Sequence, residues 1–420
     1  MGVFGGVKLD YELDDSLPDL PRLQHTADLG CDFCRVLRGA VLDSSDSKYG
    51  KLIGRSGKLL RPGEVSPVRV ELYLEWVGED PSVDSGALFL YAMFTSMDHS
   101  YPERTLQACF CVETPDPVSE WLRIPSSQTT VNRLDPETIA WAADSIKSCA
   151  ESHNHHHDHK SLSGTFRPKR LLDLMDGQVR LVSERLESAS RRWSPVLRDA
   201  VLVTRALGIS YLWIDCLCIL QGEADRDDWV EQASAMHRIY GYARVTIVAL
   251  ASRSCMQGFL DFPAEGLHID YRSTLQRKAA GTIKINLLGA SRDYSLMRNP
   301  PYAVIRSQNL WTSDWLSRGW TYQEAAASAR LLVFGELGPF FSCPAQNELM
   351  RPRWRTVNPP SNLEQFEFSG LANEGDGIEL WERVMRQYGR RSLGFTHPTD
   401  ALPALSGIVS LHQQLPGAVQ

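Results

Sequence analysis

Hydrophobic and polar positions change period several times along this chain, and each change marks an element. Val68-Arg-Val-Glu-Leu-Tyr-Leu-Glu75 alternates strictly, the pattern of a strand with one buried face. Ala87 to Phe94 and Leu106 to Val112 read as two further strands, and the turn residues between them predict an antiparallel meander. Asp28 to Val41 reads as a helix placing Cys31 and Cys34 three apart on one face. Another helix is expected from Asp135-Pro136, with Ile139, Ala142, Ala143 and Ile146 on one side and Cys149 at its end. Glu151 to Thr165 is polar, histidine-rich and contains Gly and Ser, which is linker composition.

Beyond the linker, Arg167 to Leu174 and Val179 to Val182 predict two short strands. Ser194-Pro195 is a helix start, a hydroxyl N-cap followed by proline at the first helical position. Val196, Ala200, Val203 and Leu207 then recur at helical spacing. Tyr211 to Ile214 is a short, unbroken run of large apolar residues, suited to a strand buried on both faces, and it runs into Asp215. Asp228-Trp-Val-Glu231 has the form of a capping box and opens a helix that stops at Gly241. Val245 to Leu250 is the next apolar run. This order, with short connections, predicts two parallel strands, near Trp213 and near Ile247, side by side with the intervening helix across one face. Chemistry in such sheets gathers beyond the carboxyl ends of the strands. Asp215 is therefore a candidate site acid, with capping of the next loop as the simpler reading. Thr282 to Leu288 and Leu331 to Phe334 read as later strands, and Glu324 falls in a helix favoured by Ala325 to Ala327. Residues 346 to 420 read as helical near Trp381 to Tyr388 and Ala401 to Val409.

Composition narrows the classes. A length of 420 residues leaves room for two or three domains, and 43% hydrophobic with 23% charged residues is globular. The net charge of −7 argues against general nucleic-acid binding. No apolar run is long enough for a membrane span. Nine cysteines without a secretory pattern at the start predict reduced thiols in the cytoplasm. Cys149, His153 and His156 have Cys-x3-His-x2-His spacing, and Cys31-x2-Cys34 is a common half-site, so these five residues are candidate ligands of a structural zinc. The competing reading makes the cysteines small core residues and the histidines a solvated tract. There is no Gly-rich dinucleotide fingerprint, nucleophile-elbow serine or His-Glu-x-x-His helix.

From Leu207 through Leu260 the residues resemble the fungal heterokaryon incompatibility (HET) domain. The likeness is carried by Tyr211-Leu-Trp-Ile-Asp-Cys-Leu-Cys-Ile-Leu-Gln221, by Asp228-Trp229 with Glu231, and by Met236, Ile239-Tyr240 and Ala243. Thr246 to Ala249 and Gly258-Phe259-Leu260 continue it. Arg318-Gly-Trp-Thr-Tyr-Gln-Glu324 with Arg330 looks like a second family block, and Trp381 to Tyr388 with Asp400 to Gly407 like a third. The likeness runs from about Lys169 to the C-terminus. It breaks at Ser183 to Trp193, where the family places a strand with a Leu-Ser-Tyr-x-Trp-Gly motif, so a central strand is missing. The family often carries Cys-x3-His-x2-Cys where this chain has His156 in the last place.

The resemblance implies an α/β fold with a parallel sheet like that of Toll/interleukin-receptor (TIR) domains, to which the family is remotely similar. Over residues 1–165 the patterning predicts an α+β region with the antiparallel meander; the resemblance implies an incomplete HET domain over 166–345, followed by a C-terminal helical extension over 346–420. It also implies non-self recognition and programmed cell death through self-association and protein partners, without nucleic acid. By way of the TIR likeness it implies NAD as a substrate. Glu324 is then the catalytic carboxylate, Asp215 and Arg318 orient ribose and phosphate, and Trp320 lies at the NAD site. Glu324 reads equally as an ion-pair partner of Arg318 or Arg330, and Trp320 as a core aromatic beside Trp213 and Trp229. An inactive, truncated relative is the third implication.

Overall fold

The strict alternation of Val68 to Glu75 forms the middle of a strand, Ser66–Val77, and the other elements group around it and around a second centre. The computed structural model describes residues 7–43, 61, 63–77, 87–97, 104–113, 133–153, 166–175, 179–183, 193–252, 254–260, 266–272, 280–291, 313–335, 338–343, 345–349, 354–357, 381–382, 384–385, 388–389 and 398–413. In chain order the strands are β1 (Val7–Leu17), β2 (Ser66–Val77), β3 (Ala87–Ser96), β4 (Arg104–Glu113), β5 (Arg170–Asp173), β6 (Arg180–Ser183) and β7 (Tyr211–Leu212). They continue as β8 (Thr246–Val248), β9 (Leu267–Arg272), β10 (Ala280–Ser291), β11 (Leu331–Gly335), β12 (Gly338–Cys343), β13 (Gln346–Leu349) and β14 (Trp354–Val357). The α-helices are α1 (Pro21–Asp28), α2 (Asp32–Asp43), α3 (Pro136–Ser152), α4 (Pro195–Ala206), α5 (Asp215–Cys218), α6 (Arg226–Gly241), α7 (Asp314–Ser317), α8 (Gly319–Ala327) and α9 (Ala401–Gln413). The chain divides into two compact units, Met1–Thr130 with Pro263–Ser307 and Arg351–Arg353, and Val131–Phe262 with Gln308–Met350 and Trp354–Gln420.

The first unit is a six-stranded sheet in the order β1-β2-β3-β4-β10-β9, antiparallel at every pairing. Period-two alternation sends Val68, Val70 and Leu72, Leu90, Ala92 and Phe94, and Ala108, Phe110 and Val112 into one core with Leu23 of α1 and Leu37 and Val41 of α2. Each Val, Leu or Phe side chain among these contributes about 1.5–3 kcal/mol by leaving water. The single helix expected over Asp28 to Val41 is two helices broken at Leu29 and Gly30. Each break is capped from nearby. Asp15 accepts the Arg22 and Leu23 N–H groups of α1 at 3.1 and 2.8 Å. Cys31 Sγ accepts the Cys34 N–H at 3.4 Å, a thiol serving as the cap of α2.

The second unit corrects the expected parallel, TIR-like sheet. Among its described residues, β14-β13-β12-β11-β8 form one sheet in which only β8 and β11 run parallel, and β6-β5-β7 form another that is antiparallel throughout. The segments near Trp213 and Ile247 are therefore not neighbours. Leu212 pairs with Leu172 in one sheet, and Ile247 pairs with Leu332 in the other. The physical reason lies in the shortness of the run. Four apolar residues do not separate a buried strand from a segment entering a helix. Here only Tyr211 and Leu212 are strand, and Tyr211 is 52% exposed. Trp213 and Ile214 instead turn into a small core with Leu172, Leu174, Val201 and Cys218. Residues 184–192, on which most of the missing-strand reading falls, lie outside the described residues.

Polar ties join distant parts of this unit. Buried Arg133 donates to the carbonyls of Phe259 (2.5 Å) and Gly335 (2.6 Å). Asp199 accepts the Phe259 and Leu260 N–H groups at 2.7 and 3.1 Å. Helices α6, α8 and α9 pack on one another, with Tyr322, Ala326, Ala404, Leu405 and Ile408 between them. No helix among the described residues is long and apolar enough to cross a membrane.

Candidate functional site

Asp215 lies far in the chain from Arg318 and Glu324, yet the charges of all three bear on one phenol, that of Tyr240. Asp215 is the first residue of the four-residue helix α5, whose N-cap is Ile214, and its carboxylate accepts the Cys216 N–H at 2.7 Å. Arg318 precedes α8 and is exposed, while Glu324 sits half-buried on the second turn of that helix. Tyr240 comes from the last turn of α6, and its phenol lies within reach of the Glu324 carboxylate. Desolvation raises the Tyr240 phenol well above its ordinary value. The negative charges of Glu324 and Asp215 add to that shift, and Arg318 opposes it. Tyr240 therefore stays protonated, a neutral group facing the Glu324 charge. The sequence places Tyr240 only within a helical pattern, and nothing local to it signals a carboxylate partner from α8.

Cys216 follows Asp215 directly, and two of the same charges, those of Asp215 and Arg318, act on its thiol. Its thiol is pushed up to about 11, first by desolvation and then by the charge of Asp215, with Arg318 pulling the other way. A thiol raised this far is not an activated nucleophile at neutral pH. The chemistry the arrangement offers is thus one carboxylate facing a neutral phenol, beside a second carboxylate and a guanidinium.

Several other motif side chains face inward. Trp320 lies edge-on to Trp229 with ring centroids 5.9 Å apart, and its indole N–H points to Asp400 at 3.4 Å. It is half-buried against the cluster of Tyr322, Ala326 and Tyr388. Thr321 donates to the Arg318 carbonyl at 2.8 Å, fixing the turn into α8. Gln323 is fully buried. With its amide oriented to satisfy both neighbours, it donates to the Ala404 carbonyl of α9 (3.0 Å) and accepts the His237 N–H of α6 (3.2 Å). Gly407 lets α9 come that close, because a Cβ there would meet the Gln323 amide. Trp213 stacks edge-on with Tyr240 at 5.7 Å.

Asp228 corrects the capping-box expectation. Helix α6 begins two residues earlier, at Arg226, and the carboxylate turns away from its own helix. It pairs with buried Arg170 of β5, meets Lys169 at 3.1 Å and accepts the Leu220 N–H at 3.1 Å. Arg170 also donates to the Cys218 carbonyl at 2.6 Å. Burial pulls the Asp228 carboxyl upward, but the Leu220 N–H, Lys169 and Arg170 outweigh it and leave the group below the usual aspartate range.

The candidate zinc ligands separate. Cys31 and Cys34 belong to the first unit, one capping α2 and the other buried in the apolar core. His156 lies outside the described residues. Cys149 and His153 come together at the end of α3, and Cys343, the last residue of β12, joins them. The ligand atoms of these three residues lie within 4.8 Å of one another. Interaction with Cys149 pushes the Cys343 thiol well above its ordinary value, and burial adds to it. Sequence spacing does not reveal Cys343, which lies 190 positions from His153 and next to no other ligand type.

Residues 167–324 match the family described as Heterokaryon incompatibility protein (HET), which supports a heterokaryon incompatibility domain over that stretch. The matched stretch includes Arg170, Asp215, Asp228, Tyr240, Arg318 and Glu324, and leaves out α3, Cys343 and α9. Neither the search of curated proteins nor the search of solved structures returned a match.

Proposed function

We propose that this chain acts in heterokaryon incompatibility-type non-self recognition, signalling programmed cell death in the cytoplasm of a fungus through self-association and protein partners. The observation that supports this reading is the inward commitment of three of the matched motif side chains, Asp228, Trp320 and Gln323. Asp228 ties α6 to β5, Trp320 packs on Trp229, and Gln323 joins α6 to α9. Such side chains hold a framework whose outer surface does the recognising. Nine cysteines, none in a disulfide, accord with a reducing compartment.

A second reading, hydrolysis of NAD at Glu324, has one observation in its favour, the meeting of Glu324, Asp215 and Arg318 around Tyr240. The leaving pyridinium departs neutral while positive charge builds on the ribose, so a single carboxylate would suffice. The parallel framework expected for this chemistry does not form among the described residues, where only β8 and β11 run parallel, and the reading rests on the cluster alone. Induced expression in a fungal host, with viability and cellular NAD followed together, separates the two. Under the first reading the chain kills, NAD falls no faster than in cells killed by other means, and Glu324→Gln kills equally. Killing lost in Glu324→Gln, together with Glu324-dependent NAD loss by the purified chain, would move the function to the second. A chain that neither kills nor self-associates is an inactive relative.

A further inference from the structure

We propose that Cys149, His153 and Cys343 form a structural metal site that takes zinc and fastens the end of α3 to the β12–β13 hairpin. The proposal is independent of the proposed function.

Local structure brings the ligands together. Cys149 and His153 are four residues apart, one helical turn, and the His153 N–H closes that turn on the Cys149 carbonyl at 3.0 Å. Both side chains therefore leave the same end of α3. Cys343 is fixed by the hairpin, where it pairs with Gln346. Ties apart from the cluster already set helix against hairpin. The Trp141 indole N–H and Ser145 hydroxyl of α3 donate to Glu348 of β13 at 2.9 and 3.2 Å. Apolar packing of Trp141, Ala142 and Ile146 with Phe341 adds to this. The three ligand atoms are thus held in place by groups that are not ligands.

Their spacing suits a tetrahedral ion. Zinc–sulfur and zinc–nitrogen bonds of about 2.3 and 2.1 Å put a thiolate and an imidazole nitrogen about 3.6 Å apart. Cys343 Sγ and His153 Nδ1 are 3.4 Å apart. Two thiolates and an imidazole are a donor set that favours zinc over hard cations. Cys149 and Cys343 are buried and His153 half-buried, which fits a structural site better than one open to substrate. Binding releases the two thiol protons, so the two thiolates balance the charge of the ion. A water or a further side chain completes the fourth position.

The test is metal analysis of the full chain after purification without added metal, together with cobalt substitution. We expect about one zinc per chain, and on exchange the thiolate-to-cobalt charge-transfer and intense visible bands of tetrahedral cobalt. The double variant Cys149→Ser/Cys343→Ser should lose the metal, whereas Cys31→Ser should retain it. Because the double variant could fail to fold, the wild-type chain supplies a second readout. A strong chelator should lower its melting temperature, and zinc should restore it. Folded wild-type chain with neither zinc nor tetrahedral cobalt bands, or metal lost equally in Cys31→Ser, would overturn the assignment.

Discussion

In the first unit, β1 to β4 follow one another in the sheet as they do in the chain, and the core between sheet and helices is built mainly of apolar side chains, with Asp15 buried at the start of α1. In the second, β5 pairs with β7 and β8 with β11, and buried charged or amide groups reach across the chain: Arg170 to Asp228, Arg133 to Gly335, Gln323 to Ala404. The contrast shows two ways of fixing a fold. Adjacent strands find their register from alternation, because a slip of one residue would turn every apolar side chain outward. Elements distant in sequence have weaker local instructions. A buried charge or amide there accepts only one partner geometry, since leaving it unpaired is costly.

The comparison can be broken by substitution, beginning with the largest effect. Phe110→Ala removes a fully buried ring from the first core and should cost about 4 kcal/mol. Hydrogen exchange should then rise across β2 to β4, and equal loss of protection in α6 and α8 would show that the units do not differ as described. Asp228→Ala leaves the Arg170 guanidinium buried without its carboxylate and should cost about 3 kcal/mol in denaturant unfolding. The same pair has a pH signature. The folded Asp228 pKa is lowered, so its contribution is fully present above the unfolded aspartate value of about 3.9 and is lost as pH falls through the folded value. Wild type should lose more stability than Asp228→Asn over that acid window. Gly407→Ala drives a methyl against the Gln323 amide and should cost about 2 kcal/mol, with protection lost first in α9. A neutral result would mean that Gln323 is not the bolt between α6 and α9.

Much of the first unit was legible. The strands at Val68, Ala87 and Leu106 follow from alternation, and Thr282 to Leu288 falls within β10, although no pattern tells it to pair with β4. The start of α3 was legible from Asp135-Pro136, where the Asp135 carboxylate accepts the Thr138 N–H at 2.6 Å. In the second unit the apolar runs were visible but their neighbours were not. A run such as Tyr211 to Ile214 specifies that it prefers to leave water and says nothing about which strand lies beside it.

The sequence by itself determined the helices and strands with clear period or caps, the resemblance carried by its motifs, and the pairing of Cys149 with His153 across one helical turn. Tertiary structure alone decided that the segments at Leu212 and Ile247 join different sheets, that Tyr240 meets Glu324, and that Cys343 rather than Cys31 or Cys34 completes the Cys149–His153 cluster. Periodicity and capping act over a few residues and are written in local order. Sheet partners and ligand clusters depend on which of several compatible surfaces the whole chain brings together, and no local pattern encodes that choice.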